Sequence, residues 1–418
     1  MARKDLDRRI CIIGAGAAGL SAAHFLRKRG YSRVQVLEAS DRVGGKCCST
    51  GLGETVVEAG ALGATGSYRE VLGLARETGV GVVEPPDQFV FDARTREFQR
   101  LNTAFRKSLS AASVRALARY FLAALRHRSL RRPGFAGVPA QLARPFSEWA
   151  AQRGMAALAP LLELPVTGFG YGSLDATPAA YVLKYIHTAN FLTLLRLALS
   201  RSASYRIAGG YEGLWRAVAG ALDVRLGSRV IGVQRDSSIR LTTAGEQLEC
   251  DALLLAAPLD QALSYLDASD VERELFSQVR YTAYHVMLCR TRGLPNASIS
   301  MHPLPGPGAT CLLARGWASA EATVAYAYGV AGESPPVEVT LQLEQAIRNL
   351  GGSLLAVEKH IAWRYFPHVG PELMAAGYFD RLEALQGARN TFFAGSLLSF
   401  ETVEDVVAYS KRLVERFF

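Results

Sequence analysis

Gly14, Gly16 and Gly19 stand as Gly-x-Gly-x-x-Gly directly after the apolar run Ile10 to Ile13, the spacing that cradles a pyrophosphate. Gly14 permits a tight strand-to-helix turn, Gly16 lets backbone amides approach the phosphates, and Gly19 lets the helix pack closely on the sheet. The helix N-terminus then faces the phosphate charge. A second apolar run closes on Glu38, which is placed to hold an adenosine ribose. Arg42-x-Gly44-Gly45 extends the site, because two adjacent glycines bring amides against a further stretch of phosphate and ribityl chain, which FAD has.

These residues need a β-α-β unit to position them, and the pattern supplies one: strand, Ala-rich helix to Gly30, then strand. The predicted class is α/β, with a Rossmann-type domain at its centre. The 418 residues, 49% apolar and free of low-complexity tracts, suffice for two or three domains with sizeable cores. The longest apolar stretch, Ile10 to Ala23, is taken up by the glycine turn, so it does not read as a signal peptide, and no other stretch reaches spanning length. The six cysteines (Cys11, Cys47, Cys48, Cys250, Cys289, Cys311) show no regular spacing, which points to a reducing, cytoplasmic setting. Cys47 and Cys48, beside the second glycine pair, read as small buried residues without a redox role. No metal is expected.

The Gly14 to Lys46 pattern resembles the flavin amine oxidase, phytoene desaturase and protoporphyrinogen oxidase superfamily. Phe169-Gly170-Tyr171-Gly172, Pro178 to Tyr185, Tyr365-Phe366-Pro367-His368-Val369 and Gln386 to Gly395 resemble the bacterial polyenoic fatty acid isomerases. The β-cyclopiazonate dehydrogenase-like family shares the ending. The resemblance implies a Rossmann-type FAD-binding domain of the amine oxidase superfamily with a helical insertion and an α+β substrate domain. It carries cofactor contacts to Ala17 and Ala18, to Ala39 and Arg42, to Lys46, and to Gly60 and Ala61. Val230 maps onto backbone contacts to adenine. Gly395, Ser396, Val403 and Glu404 close the site, with the N-terminus of the helix from Val403 facing the flavin N1 and O2 edge. Ser396 stands where many members have an acid, so that acid's contact does not transfer. Gly395 to Glu404 lacks the cysteine through which some amine oxidases attach flavin, so FAD is expected to be non-covalent.

Punctuation by Pro and Gly, with the hydrophobic periods, divides the chain into a discontinuous FAD-binding domain (1–90, 205–261 and 367–418), a largely helical cap (91–204), and a sheet-containing substrate domain (262–366). Within the first, Val224 to Val233 reads as one strand and Leu253 to Pro258 as the next. Tyr284 to Cys289 and Ala322 to Tyr328 read as strands of the substrate domain, and Val337 to Leu350 as a helix.

The chemistry follows from what the site lacks. Amine oxidases often carry a lysine in a substrate-domain strand, and the corresponding Ala283 to Leu288 has none. An alkene chain is too weakly acidic for a side-chain base, whereas an allylic hydride can leave to oxidised flavin N5 when held close. Isomerisation, desaturation and ring formation all remain open to the resulting allylic cation. The expected activity is an FAD-dependent oxidoreductase or double-bond isomerase acting on an unsaturated apolar lipid or natural-product intermediate, free, acyl or carrier-bound. The alternatives are an amine oxidase producing hydrogen peroxide and a non-catalytic flavoprotein carrying a hydrophobic ligand. Without a second dinucleotide motif, direct reduction by a nicotinamide is not expected.

Phe169, Tyr171, Tyr185, Tyr365 and Phe366 are the substrate-pocket candidates, with Gly170 and Gly172 leaving room for substrate or flavin. Lys184 and His368 are the polar members of these blocks, each able to orient a carbonyl or carboxylate; no catalytic base is named. The isomerases hold a fatty-acid carboxylate with an arginine in the segment leading to the helical domain, but Glu84 to Phe89 offers none, which weighs against a fatty-acid substrate.

Charge is concentrated. Residues 105–132 hold eight Lys or Arg and no acid, against a net charge of +9 for the chain. Val114, Leu117, Phe121, Ala124 and Leu125 recur there at helical spacing among Arg115, Arg119, Arg126 and Arg128. A basic amphipathic helix is predicted, read as a solvated outer face or as a peripheral contact with an anionic membrane. Nucleic acid is not expected, since no binding module accompanies the charge. Oligomeric state leaves no mark on the sequence.

Overall fold

The computed structural model describes residues 5–189, 204–304, 306–316, 319–329 and 337–418. Its centre is a five-stranded parallel sheet in the order Asp223–Arg225, Val34–Leu37, Ile10–Ile13, Ala252–Leu255 and Thr391–Phe393. Ile10–Ile13 and Ala252–Leu255 are buried at every position, as strands covered on both faces must be, which is why they read as unbroken apolar runs. The helix Ala17–Lys28 covers one face and packs against the last helix, Val403–Phe417, closely enough for Ser410 Oγ to donate to the Ala18 carbonyl at 3.1 Å.

The span expected as one strand, 224–233, divides in two. Asp223–Arg225 joins the parallel sheet, while Val230–Arg235 opens a three-stranded antiparallel sheet with Ile239–Thr243 and Gln247–Cys250. Gly227, at φ +64°, lies in the turn between them. The apolar pattern carries through that turn because both strands need buried positions.

The substrate region is a seven-stranded sheet in the order Ser353–His368, Arg280–Arg292, Ala322–Tyr328, Thr310–Ala314, Ser298–His302, Gln88–Asp92 and Glu97–Arg100. Alternation along Arg280–Arg292 serves two cores. Met287 and Cys289 pack with Val339, Leu343 and Ile347 of the helix Val337–Asn349, whereas Tyr284, Val286 and Leu288 point to the other face. The hairpin Gln88–Asp92/Glu97–Arg100 belongs to this sheet, Gln88–Asp92 pairing in parallel with Ser298–His302. The boundary placed at residue 90 therefore falls inside a strand, and the first part of the cap is sheet.

Between Leu101 and Ala189 the chain is helical in Leu101–Lys107, Ala111–Arg126, Phe146–Ala151, Ala159–Val166 and Ala179–Ala189; the rest of the predicted cap, 190–203, lies outside the described residues. Ala111–Arg126 is amphipathic, but its buried face differs from the predicted one. Ser113, Ala116, Tyr120 and Ala124 are buried, whereas Val114, Phe121, Leu122 and Leu125 are exposed. The inner face is small except for Tyr120, whose ring packs edge-on to Phe146 at 6.4 Å.

Candidate active site

The glycine turn after Ile10–Ile13 contains glycines of two kinds. A Cβ at Gly19 would lie 1.9 Å from the Gly14 carbonyl oxygen, so this glycine is demanded by the protein's own packing. A Cβ at Gly16 would meet nothing nearer than the Gly45 Cα at 3.9 Å, and Gly16 lines the central cavity. Its bare backbone at a helix N-terminus faces ligand space, which fits a pyrophosphate. Gly44 donates its N–H to the Ala15 carbonyl at 2.8 Å and bridges Gly16, so both glycine pairs form one surface. Gly60 resembles Gly19, since a Cβ there would lie 1.9 Å from the Lys46 carbonyl oxygen.

The side chain expected at the ribose, Glu38, is oriented by backbone. Glu38 Oε2 accepts from the Ala15 N–H at 2.7 Å and Oε1 from the Ser40 N–H at 2.9 Å. Ser228 donates its N–H to the Glu38 carbonyl at 2.7 Å, bringing Arg229 and Val230 to the cavity wall. Arg42 donates to the Gly45 carbonyl at 2.8 Å and pairs with Glu212 at 3.5 Å, which pins the second glycine loop. Ala17, Ala18, Ala39, Lys46, Ala61, Gly395, Ser396 and Val403 all line the same cavity. At about 1550 Å³ it exceeds the usual single-ligand pocket and has room for a dinucleotide and a substrate together.

Glu404 departs from this set. Its carboxylate accepts from the backbone N–H groups of Glu70 and Val71, each at 3.0 Å, and so serves the start of the helix Arg69–Glu77. Burial pushes its pKa up to about 7, although those two donors favour the charged form. It does not line the cavity; its neighbour Val403 does.

Beyond the cradle the cavity enters an aromatic chamber. The ring of Tyr171 lies 4.8 Å from Tyr185, 4.9 Å from Phe400 and 5.8 Å from Tyr365, and Tyr365 stacks 5.1 Å from Tyr284. Burial holds the phenols of Tyr171, Tyr365 and Tyr284 well above the ordinary tyrosine pKa, so they stay neutral. Phe169, 42% exposed, lines the outer part. Phe366 does not line the cavity: it packs behind the wall against Tyr171, Tyr181 and His368. Gly170 and Gly172 leave room for protein rather than ligand. A Cβ on Gly170 would lie 2.6 Å from the Tyr284 ring, and one on Gly172 2.7 Å from Thr177 Oγ1.

The polar residues of the shared blocks are spent internally. The Lys184 ammonium, 1% exposed, donates to the carbonyls of Leu130, Arg132 and Gly134. His368 is hydrogen-bonded to the Phe366 carbonyl at 2.8 Å. Neither lines the cavity. Cys47 does, but burial pushes its thiol up to about 12, so it is not a nucleophile at neutral pH.

Three carboxylates line the cavity among the described residues, and each is engaged. Glu38 is held as above, Asp260 accepts from Tyr281 at 2.5 Å and Arg364 at 2.6 Å, and Glu401 pairs with Lys46 at 2.5 Å. The one lining histidine, His302, pairs with Glu163 at 3.1 Å. The chamber therefore offers aromatic faces, with one buried carboxylate oxygen, Glu401 Oε2, that has no hydrogen-bond partner among the described residues. Part of the wall is polar, with Gln88 donating to Ser204 at 3.2 Å and with Ser298, Ser300 and Arg206 also in the lining. Arg206, from the strand Ser204–Ile207, donates to the carbonyls of Arg315 at 2.8 Å and Gly316 at 3.3 Å. The cation missing from Glu84 to Phe89 is thus present in the wall, from another element.

Sequence reasoning passes over Phe400, Tyr284, Glu401 and Arg206. Tyr284 carries a signal, since strand alternation puts it on one face with Val286. Arg206 carries none.

A profile of the family described as flavin containing amine oxidoreductase matches residues 17–288. Over its full length the chain is similar to the crystal structure of a CLA-producing fatty acid isomerase from P. acnes, with a TM-score of 0.89, 28% identity and 100% of both chains covered. It is 24% identical to the FAD-dependent oxidoreductase dpasF of Apiospora sacchari, over 93% of this chain and 88% of that protein. It is 27% identical to the uncharacterized protein R656 of Acanthamoeba polyphaga mimivirus, over 67% of this chain, and spans 64% of that protein's length.

Proposed function

Since the chain belongs to the flavin-containing amine oxidoreductase family and is an FAD enzyme, we propose that it takes hydride from an allylic carbon of an unsaturated apolar substrate, giving double-bond isomerisation or desaturation. The observation that carries this reading is the aromatic chamber, continuous with the cofactor cradle, in which the lining carboxylates Glu38 and Asp260 are held through both oxygens and Glu401 is held by Lys46 through one. FAD supplies the hydride acceptor at N5. The protein's part is to orient the substrate and exclude water. Tyr171, Tyr185 and Tyr365 present π faces that favour positive charge developing on an allylic carbon, with Phe400 packed against Tyr171 and Tyr185 outside the lining, and their burial keeps out the water that would trap it. Tyr284 and Tyr365 stack behind Gly170, which fixes the chamber's width.

Arg206 reopens the fatty-acid reading, because a carboxylate end placed against Gln88, Ser204 and Arg206 leaves an apolar chain to run toward the aromatics. The likeness to a fatty acid isomerase along the whole chain favours isomerisation over net oxidation. The test is anaerobic incubation with a panel of polyenoic acids and amines, following flavin absorbance and products. Accumulation of a shifted diene over many turnovers, with the flavin oxidised at steady state, is expected. Stoichiometric bleaching that recovers only with oxygen, and responds to amines alone, would replace this reading with that of an amine oxidase.

A further inference from the structure

The helix Ala111–Arg126 turns the wrong residues outward for a solvated face. Val114 is 55% exposed, Phe121 41%, Leu122 65% and Leu125 41%. Val114, Ala118, Phe121 and Leu125 stand at i, i+4, i+7 and i+11, so they form one straight stripe of roughly 17 Å along the helix. Arg115, Arg119 and Arg126 follow immediately on one flank, all exposed, and Arg128, Arg131 and Arg132 continue the charge past the helix end. The buried line Ser113, Ala116, Tyr120, Ala124 lies about a third of a turn round the helix from the stripe, so the anchoring face and the exposed Val114, Leu122 and Leu125 are separate.

This surface adjoins the cavity. Leu101, Ala104, Phe105 and the exposed Ser108, immediately before the helix, line its outer reach, as does Leu161, from the helix that follows the turn Ala156–Leu158. We propose that the face docks on an anionic lipid bilayer, with the stripe in the headgroup boundary, the arginines on lipid phosphates, and the cavity mouth at Ser108 turned toward the membrane. Charge complementarity selects the occupant: 105–132 carries eight cations and no acid, and the apolar stripe lies beside the cations. No helix among the described residues is long and apolar enough to cross a membrane, so the contact is peripheral. Only the view of this contact as a route for substrate rests on the proposed function; docking itself does not.

The holoenzyme is sedimented with vesicles of phosphatidylcholine alone and of phosphatidylcholine with about one third phosphatidylglycerol, a fraction chosen to give a strongly negative surface. Binding to the anionic vesicles only is expected, weakening with salt, and by about fivefold for each of Arg115→Gln and Arg126→Gln. Leu122→Glu removes it while leaving the flavin spectrum unchanged. All six native cysteines are buried, so Leu122→Cys takes an environment-sensitive label selectively. That label shifts to shorter wavelength on anionic vesicles, while one at Ser237→Cys, on an exposed turn of the cofactor domain, does not. Absence of binding to either vesicle overturns the proposal. So does a dimer dissociated by Leu122→Glu, or binding to an acidic carrier protein with none to lipid, since either assigns the face to protein. None of these outcomes touches the hydride-transfer reading, which is measured in detergent without vesicles.

Discussion

The cofactor cradle and the aromatic chamber share one cavity but are made differently. The cradle is backbone: Gly14, Gly16, Gly44 and Gly45 lie within about thirty residues, and the Glu38 side chain beside them is oriented by main-chain N–H groups. The chamber is side chain: Tyr171, Tyr284 and Tyr365 come from three separate parts of the chain and meet only in the folded molecule. A backbone site is insensitive to its neighbours' identity as long as no Cβ intrudes, so it can be transferred whole between enzymes. A site of assembled rings can be retuned one ring at a time, which is where a substrate preference is set.

The contrast breaks first at the glycines. Gly16→Ala is expected to fold, since Gly16 sits at φ −77° and its Cβ meets no protein atom closer than 3.9 Å, yet to lose FAD affinity by at least about tenfold, about 1.4 kcal/mol. Gly19→Ala, whose Cβ would collide with the Gly14 carbonyl, is expected to yield no folded protein. Flavin content and circular dichroism separate the two, and a Gly16→Ala protein with full flavin would remove the phosphate assignment. Next, Tyr171→Ala should lower kcat about tenfold and alter the products with flavin still bound, whereas Tyr171→Phe stays within about twofold, because the neutral phenol contributes its ring and not a proton. Equal losses in both variants would make the hydroxyl the active part.

Arg206→Gln tests the polar wall. KM for a polyenoic acid should rise about tenfold while that for its methyl ester stays put, as loss of a charge-assisted hydrogen bond requires. A matching change for the ester would make Arg206 structural. The smallest effect on catalysis belongs to Glu404→Gln, expected to leave flavin content and turnover unchanged and to alter stability alone. The folded pKa of Glu404 is raised to about 7, so the native state binds the extra proton. Its contribution is fully present below the ordinary glutamate range and is lost as pH rises through about 7. Melting temperatures of wild type and Glu404→Gln should converge near pH 4.5 and separate by pH 8, with the variant higher; a constant gap would contradict the buried-carboxyl account.

The same contrast explains what could be read in the sequence. Glycine spacing fixes backbone geometry locally, so the cradle's residues were legible without the fold; Glu404 misleads because the sequence places it at the helix start but does not say which helix its carboxylate serves. In the chamber, Tyr365 and Phe366 are neighbours near the end of the strand Ser353–His368, but Phe366 sits at φ +47° where the pairing with Arg280–Arg292 is irregular, a local turn of the backbone that the sequence pattern does not show and that puts its ring behind the wall. Lys184 had the chemistry of a substrate anchor and became the tie for three carbonyls, a role set by the turn and loop at Leu130 to Gly134, some fifty residues away in sequence. The outward stripe on Ala111–Arg126 was hidden because helical spacing shows that a face is apolar and not which way it turns.

The order of the parallel sheet bears on how the molecule is made. Its strand beside Ala252–Leu255 is Thr391–Phe393, and the helix covering the cradle runs to residue 417, so a chain emerging from the ribosome carries an open strand edge for well over a hundred residues of synthesis. Until the last segment is released, neither sheet nor cradle is complete. The cofactor can therefore reward only chains that have reached this helix, and a product truncated before residue 391 leaves that edge of Ala252–Leu255 unpaired.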